Sequence, residues 1–347
     1  MKKQSGRGKE RRLLCRDKSG QVLVIVALAA VALIGMVALA VDISHGLVVR
    51  HELQSAADAS ALAGVGNLFT PSPGPNWARA EGAASGSISW NQSDGQSLVN
   101  CQVQSGYWNL SQSPAGIQSQ GITPGTQDVP AVRVQVGRTP GQNGGSVPTF
   151  FARIFGFNSF PVQAQAVAVV SHPGFVTPGP LFPMAISRKL AETWKDHDTP
   201  AEKFIIGSAY HYPDTLAGQW TSLLEDHNNV PYIRDLFQNG TSEKIGVGDK
   251  IYIQPGTETA LYDGKGKQPS AADYIGMDVL LPVVDGILRD GVKQFLPVYG
   301  FIGFHIVSVQ KAPEKTITGY FVDGLTAPNS GGSGPNFGVI TPPHLVL

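Results

Sequence analysis

The 347-residue sequence predicts an α+β protein built from three parts. One N-terminal membrane-spanning helix continues as a long helix beyond the membrane, and it is followed by a small α/β domain and a mostly-β C-terminal domain. Three observations predict this fold class. They are a long apolar run near the N-terminus, a proline-free, alanine-rich stretch directly after it, and a series of short apolar stretches separated by Gly and Pro turns.

The apolar run from Val22 to Val41, VLVIVALAAVALIGMVALAV, predicts the membrane span. A helix of about 20 residues is roughly 30 Å long, which is the thickness of the hydrocarbon core. Residues 1–20 hold eight Lys/Arg and two Asp/Glu, so a basic segment of charge +6 precedes a body of charge −6. The positive-inside rule therefore places segment 1–19 in the cytoplasm and the bulk of the chain outside. The alternative is a cleaved signal peptide, whose apolar core is usually shorter, about 7–15 residues.

The helix is predicted to continue to about residue 68, because residues 42–68 contain no proline and alanine is the strongest helix former. Side chains at four-residue spacing give this segment three distinct faces. The polar stripe is Arg50, Gln54 and Asp58, and the narrow apolar stripe is Leu53, Ala57 and Ala61. Ala56, Ser60 and Gly64 form a small-xxx-small series that lets backbones approach closely. Such a face packs either on the protein's own domain or on a helix of another subunit.

This region resembles the N-terminal segment of TadG-like proteins of the tight-adherence (Flp) pilus machinery. The resemblance rests on Gly20 before the span, ALAVD at 38–42, Arg50 and LQSAADASALAG at 53–64, and it continues weakly in PTFFARIFGF at 148–157. It implies a single-pass protein of the bacterial cytoplasmic membrane that belongs to pilus assembly or an associated secretion locus, without catalytic role or cofactor. The expected partners are the membrane and other pilus-assembly or secretion proteins. The helix-packing motif consists of Asp42, Arg50, Leu53, Gln54, Ala57, Asp58, Ala61 and Gly64.

One position departs from processed pilins, which usually carry glutamate five residues after the cleavage glycine. Counted from Gly20, this position is Ile25. We therefore expect a retained anchor or an unconventional pilin-like component. Self-association through the long helix stays open.

Beyond the helix segment 20–69, residues 70–175 are predicted to form a small α/β unit similar to a pilin head. Residues 70–130 are rich in Pro, Ser, Gly, Gln and Asn, which indicates loops with short strands. Strands are predicted at 132–136 and 162–170, and TFFARIFGF at 149–157 predicts a short helix.

Residues 176–325 are predicted to form the mostly-β domain, with one broken helix at most in 221–238 because Pro231 interrupts it. Residues 326–347 are predicted to be a Gly-rich linker and a tail whose last residues add an edge strand. The predicted strands of the domain are Phe204–Gly207, Lys250–Ile253, Val279–Val284, Phe301–Gln310 and Thr316–Val322.

The sequence offers little chemistry. His197, His211 and His227 have no metal-ligand spacing, and the body of the chain after residue 20 lacks the concentrated positive charge expected of nucleic-acid binding. We therefore predict no catalytic residue, no metal, no cofactor and no nucleic acid. The alternative function is a membrane-tethered binding module or hydrolase that acts on cell-wall or surface glycan. It is motivated by the aromatic residues Trp194, Tyr210, Tyr212 and Trp220.

The two cysteines are predicted to lie on opposite sides of the membrane, Cys15 inside and Cys101 outside. This separation excludes an intrachain disulfide. Cys101 is then either a free buried thiol or an intermolecular link in an oxidising compartment.

Overall fold

The computed structural model describes residues 19–69, 74–125, 127–177, 179, 181–195, 203–208, 212–213, 217–227, 229–256, 258–262 and 268–347. The fold is α+β, as the sequence predicts. A long N-terminal helix carries a small domain, here called the head, against its second half. A domain of closed β-sheet, here called the barrel, follows the head.

Helix α1 runs from Ser19 to Val65 without a break, which confirms the predicted long helix. Its 47 residues make it about 70 Å long. The most apolar part of the helix is not buried at all. Among the described residues, α1 is the one helix that is long and apolar enough to cross a membrane.

The head contains helix α2, Trp77–Ser87, and three principal strands. The strands are β1, Cys101–Asn109; β2, Asp128–Arg138; and β3, Val162–Val169. They form an antiparallel sheet in the order β3-β2-β1, with the short pairs His344–Leu345 and Ile117–Gln118 at its two edges. Two small hairpins are added, Gln92–Ser93 with Gln96–Ser97 and Val147–Pro148 with Ser159–Phe160.

The predictions for the head are confirmed in part. The strands expected at 132–136 and 162–170 are β2 and β3, whereas TFFARIFGF forms only one 3-10 turn, Ala152–Phe155. The expectation of loops with short strands over 70–130 is confirmed only for Gln92–Ser93, Gln96–Ser97 and Ile117–Gln118, and it missed α2 and β1. Helix α2 is hard to recognise because its buried positions are Ala80, Ala84 and Ser87, which give almost no hydrophobic periodicity. Its one clear sequence signal is Asn76, whose side chain accepts a hydrogen bond from the Arg79 amide at 3.1 Å.

Small side chains on β3 let α1 lie close to the sheet. Val132, Val134 and Val136 of β2 face the helix and pair in register with Ala168, Ala166 and Ala164 of β3. All six are buried in one core with α1 and α2. Because the side chains of Ala164, Ala166 and Ala168 are small, α1 can pack close to this part of the sheet.

Among the described residues, the barrel has two α-helices and a seven-stranded sheet. The strands of this sheet pair in the order β4 (Met184–Ser187), β8 (Asp278–Val284), β9 (Gln294–Gln310), β7 (Lys250–Ile253), β6 (Ala217–Leu223), β5 (Phe204–Ser208) and β10 (Thr316–Val322). Further pairings of β4 with β6 and of β9 with β10 close the sheet around an apolar core. The two helices are α3, Arg188–Lys195, and α4, Val230–Asn239.

The five strands predicted for this domain are confirmed, and the reading of 221–238 is wrong. Pro231 lies in the first turn of α4 and begins the helix, where its missing N–H would have no intrahelical partner. Asn229 caps this helix by accepting a hydrogen bond from the Tyr232 amide at 2.8 Å. Residues 217–223, which precede it, form strand β6.

The chain then returns from the barrel to the head. Ser330–Gly331 pairs with Phe175–Val176, which also pairs with Ile245–Gly246, and Leu325–Thr326 pairs with Val339–Ile340. His344–Leu345 pairs with Val169 and Ala168 of β3. The predicted edge strand is present, and it belongs to the head sheet.

Candidate functional site: the interface of the long helix

The carboxylate of Asp42 joins α1 to the head at the residue that directly follows the apolar run of the helix. Its two oxygens accept hydrogen bonds from the amides of Phe150, Phe151 and Ala152, at 2.7, 3.1 and 2.7 Å. Asp42 is only 5% exposed, and these amides begin the 3-10 turn Ala152–Phe155. The aspartate directly after the apolar run thus acts as an anion at the N-terminus of a helical turn that belongs to another part of the chain.

The apolar stripe of the predicted packing motif is covered by the protein's own head. Leu53, Ala57 and Ala61 are fully buried, together with Val49 and Val65 on the same side of α1. They lie in one core with the inward side chains of β2 and β3. The sequence left two partners open for this face, and the structure places it against the head of the same chain.

The small-xxx-small series brings α1 close to α2. Ala56, Ser60 and Gly64 are all fully or almost fully buried. A Cβ atom added to Gly64 would lie 3.0 Å from Ala84 Cβ and 3.1 Å from the carbonyl oxygen of Ala80. No larger residue fits there unless α2 moves, so the series is used for a helix contact within the chain.

The polar stripe borders this buried face. Gln54 donates hydrogen bonds to Asp58 at 2.8 Å and to the backbone carbonyl of Gln165 in β3 at 2.9 Å. Arg50 is exposed. Gln54 therefore satisfies one backbone carbonyl of β3, and Arg50 leaves a cation at the surface.

The hairpin of Gln92–Ser93 and Gln96–Ser97, which the sequence did not lead us to predict, contacts α1 at His45 and Glu52. Asp94 and Gly95 have φ angles of 50° and 69°, and this Asp-Gly pair forms the two-residue turn between Gln92–Ser93 and Gln96–Ser97. The Asp94 carboxylate contacts His45 Nε2 at 3.0 Å and Arg138 Nη1 at 2.9 Å. The amide of Asp94 donates to Glu52 Oε2 at 2.7 Å. The dipeptide Asp-Gly was the available sequence signal.

The surroundings of Asp94 favour its charged form. Burial opposes ionisation, but the hydrogen bonds and charges of His45 and Arg138 outweigh it and lower the pKa of Asp94. The Arg138 side chain is 4% exposed, so its guanidinium is held in the interface with this carboxylate as its charged partner. The hairpin thereby links α1 to the last residue of β2.

An exposed apolar surface lies beside the Asp42 contact. The segment 148–158, here called the phenylalanine loop, presents five large apolar side chains to the outside: Phe150, Phe151, Ile154, Phe155 and Phe157. Between this loop and α1 lies an open groove of about 570 Å³ that contains Leu39, Ile43 and Leu47. The ring of Phe160 fits against Gly46, where an added Cβ would lie only 2.8 Å from it.

Two family models match this part of the chain. Residues 20–67 match a model described as Flp pilus-assembly TadE/G-like, and residues 50–168 match one described as Tad-like Flp pilus-assembly. Residues 20–168 belong to the TadG-like Flp pilus-assembly family. Together the matches cover α1 and the head up to the penultimate residue of β3. No curated protein and no solved structure matches the chain.

Outside the TadG-like segment, the aromatic residues that suggested glycan binding are mostly core residues. Trp220 is fully buried and Trp194 is 8% exposed, and both belong to the barrel core. Tyr212 is half-buried over Gly207, and Tyr210 lies outside the described residues. The two tryptophans therefore provide no surface on which a sugar ring could stack.

The barrel offers little metal-binding chemistry in its described part. No group of three His, Cys, Asp or Glu side chains converges among the described residues. His227 packs near Tyr232, while His197 and His211 lie outside those residues. In the head, Cys101 is a half-buried free thiol whose pKa is raised by burial; Cys15 lies outside the described residues.

Proposed function

We propose that the protein is a non-enzymatic, membrane-anchored component of Flp pilus assembly or of an associated secretion system. Helix α1 holds it in the bacterial cytoplasmic membrane with its N-terminus in the cytoplasm. The head and the barrel lie outside and act through contacts with other proteins. The family match over residues 20–168 supports the pilus-assembly role.

The observation that carries the anchoring role is the division of α1 into two halves. The stripe formed by Leu53, Ala57 and Ala61 is fully buried against the head, whereas the large apolar residues from Val22 to Val41 are 41–73% exposed. Apolar surface gains about 25 cal/mol for each Å² removed from water, so a helix of this composition requires an apolar environment. A bilayer provides it, since 20 residues span roughly its hydrocarbon core.

The covered stripe also favours an anchor over a filament subunit. If α1 packed on neighbouring subunits through Ala57 and Ala61, this face would have to leave the head. Leaving would expose the valines of β2 and the alanines of β3 that now lie beneath it. Contacts with partners are then expected from the outer surfaces of the head and the barrel, not from the alanine face.

Reporter fusions and fractionation test these statements separately. An alkaline-phosphatase fusion after residue 70 should be active in cells, because the positive-inside rule places this residue outside. An inactive fusion would refute the orientation. After the cells are sheared, the protein should stay with the membrane and co-purify with the pilus-assembly machinery. Recovery in the sheared filaments in amounts similar to the major pilin would refute the retained anchor.

A further inference from the structure

We propose that the phenylalanine loop is a second membrane contact, which lies in the headgroup region of the outer leaflet beside the span of α1. The occupant of this surface is the lipid bilayer. The inference rests on the proposed membrane anchoring, and it adds that the head itself touches the membrane. Four features of the described residues support it.

The first feature is the composition of the exposed surface. Phe150, Phe151, Ile154, Phe155 and Phe157 are 51, 40, 76, 76 and 70% exposed, so five of eight consecutive residues present large apolar side chains. Contiguous apolar patches of this kind are rare on the surface of soluble monomers and mark contacts with proteins or membranes. Aromatic side chains are the type enriched at the boundary between membrane and water.

The second feature is the depth of the loop. Asp42 directly follows the last residue of the apolar run, and its carboxylate holds the amides of Phe150, Phe151 and Ala152. Ala152 and Phe157 line the same groove as Leu39, which lies three residues inside the span. A rise of about 1.5 Å per residue places Leu39 about 4.5 Å on the membrane side of Asp42. The loop therefore reaches back to the level of the last turn of the span.

The third feature is the continuation of apolar surface along α1. Beyond Asp42, the helix presents Ile43, Leu47 and Val48 to the outside, 51–55% exposed. From Val22 to Val48 the helix is about 40 Å long, which matches a bilayer with its headgroup regions. Of these residues, Ile43 and Leu47 border the same groove as Phe157 of the loop and Leu39 of the span, so the apolar surface of the loop is continuous with the span.

The fourth feature is the shape and charge of the loop. The Thr149 hydroxyl donates to the Phe157 carbonyl, the Thr149 amide donates to Asn158 O at 3.1 Å, and Gly156 closes the turn with a φ of 88°. These hydrogen bonds fix the backbone of the loop with its apolar side chains exposed, so the loop does not have to become ordered when it binds the membrane. Arg153, its one charged residue, is exposed and can extend to lipid phosphates while its stem stays among apolar groups. Its charge favours an anionic lipid surface.

Fluorescence quenching in vesicles tests the depth of the loop. The full-length protein, with Cys15→Ser and Cys101→Ser, receives one new cysteine at a time, Ile154→Cys, Val31→Cys or Ile275→Cys, and each is labelled with an environment-sensitive fluorophore. The vesicles contain phosphatidylcholine and phosphatidylglycerol, with a spin label either near the headgroup or deep in the acyl chain. Val31 is in the middle of the span, and Ile275, 47% exposed on the barrel, is the matched control.

The expected result is loss of fluorescence at position 154 with the shallow spin label, loss at position 31 with the deep one, and no loss at position 275. If position 31 is quenched and position 154 is not, the membrane contact of the loop is refuted while the anchor stands. If position 154 is instead protected by contact with a second copy, seen as crosslinking between loops, the bilayer is the wrong occupant. If neither position is quenched, the proposed anchoring fails as well.

Discussion

The close contact of α1 with α2 can be tested by adding one methyl group at Gly64. The new Cβ would lie 3.0 Å from Ala84 Cβ, 3.0 Å from Val132 Cγ1 and 3.1 Å from Ala80 O. Carbon atoms pack best at about 3.5–4.0 Å, so Gly64→Ala forces α2 or β2 to retreat by about half an ångström. Overpacking of this kind destabilises by roughly 1–3 kcal/mol. Against it stands the gain of about 1 kcal/mol that alanine brings over glycine in a helix.

Gly82 provides the matched control, since it lies in the middle of α2 and an added Cβ would meet nothing within 4 Å. Gly82→Ala should therefore keep the full gain of about 1 kcal/mol. The net effect of Gly64→Ala is a loss of about 0–2 kcal/mol, so the two variants should differ by about 1–3 kcal/mol. This difference corresponds to roughly 5- to 150-fold in an opening equilibrium.

Hydrogen-exchange mass spectrometry on the detergent-solubilised full-length protein measures this opening directly. The amides of α2 should exchange faster in Gly64→Ala and more slowly in Gly82→Ala than in the parent protein. If both variants protect α2 equally, α2 does not lie against Gly64. The small-xxx-small series would then be free for another subunit, and the retained anchor would have to rest on the apolar stripe against β2 and β3 alone.

Three further changes probe other contacts of α1. Asp42→Ala leaves the amides of residues 150–152 without their acceptor, which costs about 1–3 kcal/mol for each unpaired group. Hydrogen exchange should therefore become faster in the phenylalanine loop and stay unchanged in α2. An unchanged exchange rate in the loop would contradict the role of Asp42 in holding it. The lowered pKa of Asp94 contributes stability that is present above its unfolded pKa of about 3.9 and is lost as the pH falls through the lower folded value. Thermal midpoints should therefore fall below about pH 4, and Asp94→Asn should flatten this slope. The buried hydroxyl of Ser60 has no hydrogen-bond partner among the described atoms. Ser60→Ala should therefore raise the free energy of unfolding, measured by chemical denaturation, by up to about 1 kcal/mol. A lower free energy of unfolding would show that the hydroxyl is hydrogen-bonded.

The long helix and the strands β2 and β3 of the head could be predicted because each has a strong local signal. Val22–Val41 is apolar without interruption, and residues 132–136 alternate at the period of a strand. Helix α2 gave no such signal, since its buried side is made of alanines and a serine and its stability comes from packing on α1 and the sheet. Pro231 was misread because proline both interrupts helices and begins them, and only the position of Asn229 as the cap decides between the two.

The partner of the alanine face could not be predicted for a different reason. A narrow stripe of small side chains fits a flat sheet and a neighbouring helix equally well, so the spacing of Leu53, Ala57 and Ala61 is compatible with both. The decisive complement is the row Ala164, Ala166 and Ala168, which is more than 100 residues away in the sequence. Likewise, nothing near Asp42 in the sequence indicates that its carboxylate would hold the amides of residues 150–152.

The return of the chain to β3 has a mechanical consequence. The barrel is joined to the head at Val170, directly after β3, and again through Thr341, which bonds to Ser171, and His344–Leu345, which pairs with β3. Both connections therefore leave from the same strand, and β3 packs directly on α1. A force that pulls on the barrel is shared by two attachments and passes through one strand to the helix. In this geometry, tension applied to the barrel reaches α1 through the packing of β3 on the helix.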